Sequence, residues 1–193
     1  MSGVVAAGHP LTAETGARVL REGGNAVDAA VAAVMASFAV ESPLTGFGAG
    51  GFMMVHGGSD TVLLDFFVAA PGLDGVERGA ELVPVPVHFD AETVQTFYVG
   101  PASCGVPGTA AGLECALERF GSVPVGDLVP AAIQLAREGA PVNAEQAYIL
   151  NILEPIHDQL EGTRELYAPG GRPLREGDVF RFPELAEALE RFA

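Results

Sequence analysis

The sequence predicts an α+β protein with antiparallel strand pairing, and three observations carry that prediction. Residues Ala29 to Val40 are apolar apart from Ser37, a run without a polar face that reads as a buried central helix. The apolar stretches Gly51 to Gly57 and Thr61 to Val68 flank the turn-rich Gly57-Gly58-Ser59-Asp60, the pattern of a β-hairpin. Beyond Gly108 the apolar spacing changes to i, i+3, i+4, i+7, which is helical. This order differs from the regular β-α alternation of a doubly wound sheet.

Taken in order, Gly3 to Ala7 is short, apolar and partly β-branched, and is expected to be a buried strand. A helix is predicted from about Thr12 to Glu22, with Thr12 as its N-cap and Gly23-Gly24 as its stop. Asn25 is expected to cap the central helix, with Asp28 in its first turn, where the helix dipole favours negative charge. Between Ala70 and Gly100 the prolines 71, 84 and 86 predict a surface loop, with one extended piece over Thr93 to Val99. Leu113, Ala116, Leu117 and Phe120 form a helical stripe after a Thr109 cap, ended by Gly121. Val129, Ala132, Ile133 and Ala136 repeat the stripe before Gly139, and another helix is expected over Ala144 to Ile156. Gly162 to Pro173 reads as a loop, and Pro183 opens a last helix. The organisation expected is an α/β part over residues 1–100 and a mainly helical lobe over 101–193, both belonging to one incomplete domain.

Composition narrows the function. With 193 residues, 49% of them hydrophobic and 18% charged, the chain can bury a sizeable core. Its formal charge of -15 repels phosphate backbones and anionic membranes, so neither nucleic acid nor a membrane is an expected partner. The Ala29 to Val40 run is shorter than the roughly 20 residues of a membrane span. Met1-Ser2-Gly3 leads into an apolar stretch without a signal-peptide pattern, and a cytoplasmic location is expected. Cys104 and Cys115 lack zinc-ligand and C-x-x-C spacing and read as reduced structural thiols.

The most unusual stretch is Thr45 to Met54, where Gly46, Gly48, Gly50 and Gly51 crowd together. A phosphate cradle needs strand, glycines and then a helix N-terminus. Here the helix comes first and would present its electronegative end, so close backbone packing is the better reading, with Gly48, Gly50 and Gly51 as structural residues. His9 could act as a base but reads more simply as a hydrogen-bonding structural residue, while His56, His88 and His157 are too scattered to be ligands. Asp65, between Leu64 and Phe66, is either an organising carboxylate or an outward-facing one. No complete catalytic set is visible in these patterns.

The residues nonetheless resemble a known family. The segments G-V-V-A-A-G-H-P-L-T-A-E-T-G (3–16), G-G-N-A-V-D-A-A-V-A (23–32) and V-E-S-P-L-T-G-F-G-A-G-G-F-M (40–53) are similar to the N-terminal part of the large subunit of gamma-glutamyltranspeptidases. G-V-P-G-T-A-A-G-L (105–113), P-A-A-I-Q-L-A-R-E-G-A-P-V (130–142) and G-D-V-F-R-F-P-E-L-A (177–186) continue the match in order. Together they cover most of the chain. The resemblance implies membership of the N-terminal nucleophile hydrolase superfamily, a partial αββα sandwich with an added helical lobe, and an amide or peptide substrate. It also implies a precursor that cuts itself to expose a threonine, whose hydroxyl attacks the amide with its own amine as base. No metal or organic cofactor is implied.

Two departures follow from the same resemblance. The family's nucleophilic threonine lies beyond Ala193, so no catalytic residue is assigned within this chain, which alone is expected to be inactive and to seek its missing C-terminal portion or self-associate. The family's oxyanion glycines also belong to the small subunit, so Gly50 and Gly51 do not take that role. Typical members carry an Asp-Phe-Arg-Glu-type strand whose arginine grips the substrate α-carboxylate, whereas this chain reads Asp65-Phe66-Phe67-Val68. Phe67 stands in the arginine's place and cannot supply its bidentate donors. Asp65 and Phe67 are therefore the expected substrate-binding positions of an atypical acyl pocket, unless another arginine substitutes. The alternatives are a genuine γ-glutamyl transferase or hydrolase acting on glutathione-like substrates, and a truncated, non-catalytic binding module.

Overall fold

A computed structural model describes residues 3–72 and 81–193. In chain order the elements are α1 (Pro10–Arg21), α2 (Ala26–Val40), β1 (Gly51–Gly57), β2 (Asp60–Phe66), β3 (Val83–His88), β4 (Val94–Val99), a 3₁₀ turn (Pro101–Ser103), α3 (Thr109–Phe120), α4 (Val125–Leu128), α5 (Pro130–Glu138), β5 (Ala140–Pro141), α6 (Ala144–Ile152), α7 (Glu154–His157), α8 (Glu161–Tyr167), β6 (Val179–Phe180) and α9 (Pro183–Phe192). The mixture is α+β, as expected. It groups into two compact units, one holding the chain through Val68 with Pro107–Ala140 and Arg181–Ala193, the other holding Ala69–Val106 and Pro141–Phe180. The grouping therefore interleaves the chain rather than dividing it near residue 100.

The first unit is built around α2. Asn25 and Asp28 form a reciprocal capping box, so the first turn has its N–H groups satisfied locally. Val31 and Met35 have no exposed surface and Phe38 only 2%, because α2 packs against α1, α3 and α5 on different sides. Leu64 of β2, Leu113 and Ala116 of α3, Ala132 of α5, and Leu185 and Leu189 of α9 complete this core. Each large apolar side chain so buried stabilises the fold by about 2 kcal/mol.

Asp28 ties this core together. Its carboxylate is wholly buried and accepts hydrogen bonds from the Asn25 N–H, the Ser122 N–H and hydroxyl, and the Val123 N–H at 2.6 to 3.2 Å. Burial alone pushes its pKa up. The Ser122 hydroxyl and the three backbone donors outweigh that and hold the carboxyl below its ordinary range. Asn25 adds a bond from Nδ2 to the Phe120 carbonyl at 2.8 Å, so the start of α2 fastens the end of α3.

Two expectations for the N-terminal region are corrected. Gly3 to Ala7 is neither strand nor buried; Val4 is 95% exposed. A strand needs a neighbouring backbone to pair with, and no described residue offers one here. The cap of α1 is His9 rather than Thr12: the His9 ring Nδ1 accepts the Leu11 N–H at 3.1 Å, and Pro10 occupies the first turn. Thr12 instead donates its hydroxyl to Glu41 at 2.6 Å. Similarly, α3 begins at Thr109 with Gly108 at the cap position and no side-chain cap.

The second unit contains a hairpin where a loop was expected. β3 pairs with β4 antiparallel from Val83 opposite Val99 to His88 opposite Val94. Pro84 and Pro86 are compatible with a strand because they are two residues apart, so both missing N–H groups lie on the same, unpaired edge. Val85 and Val87, on the other face, are buried. Residues 73–80 of the expected loop lie outside the described residues. The predicted helix over 144–156 divides at Leu153, since Pro155 cannot donate and starts the short α7. The Gly162 to Pro173 loop contains most of α8. There Tyr167 stacks between His157 and Phe180, at 4.5 and 5.6 Å between ring centroids, and burial of His157 lowers its pKa against the opposing pull of Asp158.

Candidate active-site segment

The glycine stretch and the hairpin that follows it form the candidate site, within the first unit. β1 and β2 pair from Gly51 opposite Phe66 to Gly57 opposite Asp60, with Gly58 at a φ of 63° in the turn. Strand alternation sends Met53, Val55, Val62, Leu64 and Phe66 toward the core. It sends Phe52, Met54, Leu63 and Asp65 outward. Asp65 is opposite Phe52 and is outward-facing and exposed, yet it also organises the chain: its Oδ1 accepts the Phe67 N–H at 3.0 Å. Asp65 is therefore the outward-facing carboxylate of the two alternatives, with one local bond to the next turn of chain.

Phe67 continues the outward face two residues beyond Asp65. Its ring stacks on Phe52, 5.5 Å between centroids and 11° from parallel, with 59% of Phe67 and 58% of Phe52 exposed. Phe52, which nothing in the sequence singles out, is the side chain the fold brings against Phe67. The hairpin register could have revealed it, because Phe67 is the diagonal neighbour of Phe52 once Asp65 is set opposite Phe52.

The glycines position this face from behind. A Cβ on Gly50 would sit 2.5 Å from the Val68 nitrogen and 2.8 Å from the Phe67 carbonyl carbon, so only glycine lets the two backbones approach so closely. Gly51 is less tight, with 3.1 Å to the edge of the Phe66 ring, and Gly46 and Gly48 face open space. Close packing is thus the role of Gly50 and, more weakly, Gly51; no such contact surrounds Gly48. Ala49 between them bonds through its carbonyl to the N–H groups of Gly108 and Thr109 at 3.0 and 3.1 Å, capping α3 by main chain in place of a side chain.

Phe66 is wedged into the same helix. A Cβ on Gly112 would stand 2.7 Å from the Phe66 Cβ and closer to its ring, and one on Gly108 would stand 2.8 Å from the Phe66 carbonyl carbon. Gly108 and Gly112 are therefore the seat of β2. The residues on either side of Phe66, Asp65 and Phe67, take their direction from that seat.

The remaining candidates are dispersed. His9 is a helix cap, and His56 meets Thr61 across the hairpin at 2.9 Å. His88 and His157 lie in the other unit. Cys104 and Cys115 are free thiols, the latter packed partly against the core. Among the described residues no group of three or more His, Cys, Asp or Glu is placed to hold a metal ion, and no helix is long and apolar enough to cross a membrane.

The hairpin, its glycine seat and the capped central helix make an α+β protein, and superposition on solved gamma-glutamyltranspeptidases gives it a fold of the N-terminal nucleophile hydrolase type. The chain belongs to the gamma-glutamyltranspeptidase family, whose model matches residues 12–193. It is 35% identical to the glutathione hydrolase proenzyme of Bacillus subtilis over 97% of this chain, but spans only 31% of that relative's length. The structure superposes on the gamma-glutamyltranspeptidase of Helicobacter pylori with a TM-score of 0.82 at 31% identity, covering 99% of this chain and 54% of that one. The transpeptidase CapD of Bacillus anthracis gives a TM-score of 0.78 at 27% identity, with 99% and 57% covered.

Proposed function

We propose that this chain is the N-terminal portion of a threonine amidohydrolase or acyltransferase whose acyl pocket departs from the γ-glutamyl type. The observation that carries the reading is Phe67. By the resemblance it stands where typical members carry the carboxylate-gripping arginine, and its side chain faces outward beside Asp65 with its ring stacked on Phe52. A phenyl ring offers no donors to a substrate α-carboxylate. The loss of one charged hydrogen-bonded partner weakens recognition by about 2 kcal/mol, roughly thirty-fold.

In this reading the nucleophilic threonine and the oxyanion donors are supplied by polypeptide other than these residues. The threonine hydroxyl attacks the amide carbonyl while the threonine amine takes its proton; the C–N bond then breaks as that proton passes to the departing amine, and water or an acceptor amine resolves the acyl-enzyme. Residues 1–193 alone therefore neither mature nor turn over an amide. The test is an assay of the full-length protein with a γ-glutamyl anilide, beside its Phe67→Arg variant. Poor turnover by the parent and a rise in the variant are expected. Robust parental turnover refutes the changed pocket, and an unchanged rate in Phe67→Arg points to a carboxylate clamp elsewhere.

A further inference from the structure

The second unit carries a row of stacked rings that ties together three short elements. Tyr167, the last residue of α8, lies between His157, the last residue of α7, and Phe180 of β6, with interplanar angles of 27° and 6°. The helix that Tyr167 anchors is weak on its own. α8 is seven residues long, buries no side chain fully and has no side-chain cap. A helix of that length depends on tertiary contacts for its stability. A second tie also runs to His157, whose carbonyl accepts the Thr163 hydroxyl at 2.7 Å.

His157 is half-buried, and it is the member of the row whose charge changes near neutral pH. On the elements packed against α7, the charged or titratable groups are His88 of β3, Glu145 and Tyr148 of α6, and Glu161, Arg164, Glu165 and Tyr167 of α8. Glu154 and Asp158 are its charged neighbours on its own segment. Burial disfavours the imidazolium more than Asp158 favours it, so the pKa of His157 lies below its ordinary value of 6.5.

We infer that this row is an acid-sensitive latch on α8: protonation of His157 draws its ring out of the stack into water and releases Glu161–Tyr167 from the rest of the second unit. The folded stack holds the neutral ring. Above the open-state value of about 6.5 the ring is neutral in both states, and the contribution of the stack is complete. As pH falls through that value the open state takes up the proton first. The contribution then declines until the pH has passed below the folded value.

The test is hydrogen–deuterium exchange of the full-length protein read by mass spectrometry, between about pH 7.5 and about pH 5.5, with rates corrected for the intrinsic pH dependence of exchange. The same samples report the titration of His157 through the slow exchange of its ring Cε1 hydrogen. Residues 161–167 are expected to lose protection about three-fold across this range, with a midpoint that matches the His157 titration, while α2 stays unchanged. His157→Phe keeps a ring that cannot be protonated, and holds the protection within about 1.5-fold over the same range. Tyr167→Leu removes the central ring, so His157 titrates closer to its ordinary value and residues 161–167 are less protected at every pH. Parental protection that ignores pH, or a fall of equal size in His157→Phe, overturns the latch. So does a His157 that titrates above about 6.5, the behaviour of a cation–π pair with Tyr167. Should His157→Phe fail to fold, the parental midpoints decide alone, and a mismatch between them overturns the latch.

Discussion

Replacing Gly112 with alanine sets two physical effects against each other, and the structure decides the sign. Gly112 lies inside α3, where helix propensity alone makes Gly→Ala stabilising by about 1 kcal/mol. The new Cβ, however, would lie 2.7 Å from the Phe66 Cβ and still nearer the root of its ring. Those atoms sit next to the backbone of β2, so no side-chain rotation removes the clash. Overpacking of this kind costs about 1–3 kcal/mol, and expelling Phe66 from the core adds about 2 kcal/mol of lost burial. The expected net effect is destabilisation by about 3 kcal/mol, a shift of about 1.5 M in the urea midpoint for an m-value near 2 kcal/mol per M. Circular dichroism of the parent, Gly112→Ala, Phe66→Ala and the double variant measures it. In the Phe66→Ala background the alanine at 112 becomes neutral or stabilising, so the cycle is strongly non-additive. A stabilised single variant, or additive effects, refutes the wedge.

Other outcomes follow from the charged groups. Asp28→Asn keeps one acceptor oxygen but turns an amide toward backbone donors, and is expected to destabilise by about 3 kcal/mol. The folded pKa of Asp28 lies below its unfolded value near 4, so its stabilisation is complete above about pH 4 and is lost as pH falls through the folded value. Stability of the Asn variant should therefore decline less steeply with acid than that of the parent, and parallel acid limbs would show the carboxylate to be unimportant. Asp178 is held at about 2, chiefly by its hydrogen bond from Arg172. An NMR titration of Arg172→Ala should find it raised toward the ordinary carboxylate range, and no movement would contradict that pairing. His9→Ala removes the α1 cap at a cost of about 1 kcal/mol, read as a lower thermal midpoint; an unchanged midpoint would mean water caps the helix equally well.

Much of the first unit was legible because its signals are local. The Asn25 and Asp28 capping box, the all-apolar α2 and the β1–β2 hairpin each lie within a few residues, so propensity and pattern agree with the fold. What escaped the sequence depends on partners far away. Gly3 to Ala7 reads as a strand from its side chains, but pairing is a property of a neighbour. Pro84 and Pro86 argue against a strand until their two-residue spacing is set on one edge. Phe67 stood out in the sequence only through the resemblance, which sets an arginine there in typical members. Phe52 did not, because only the register brings it under Phe67. Gly108 and Gly112 likewise gain their meaning from Phe66, which no periodicity could connect to them.

The seat of Phe66 also sets an order of events during synthesis. Gly112 follows Phe66 by 46 residues, and Thr109 follows its capping carbonyl at Ala49 by 60. At about 10 residues per second the hairpin is made roughly 5 s before the helix that receives it. A hairpin closes in microseconds, so it must wait without the α3 part of its seat. Phe66 then forms part of a transient apolar surface on the nascent chain, and the arrival of Gly108 to Gly112 is the step that ends its exposure to chaperones and to other chains.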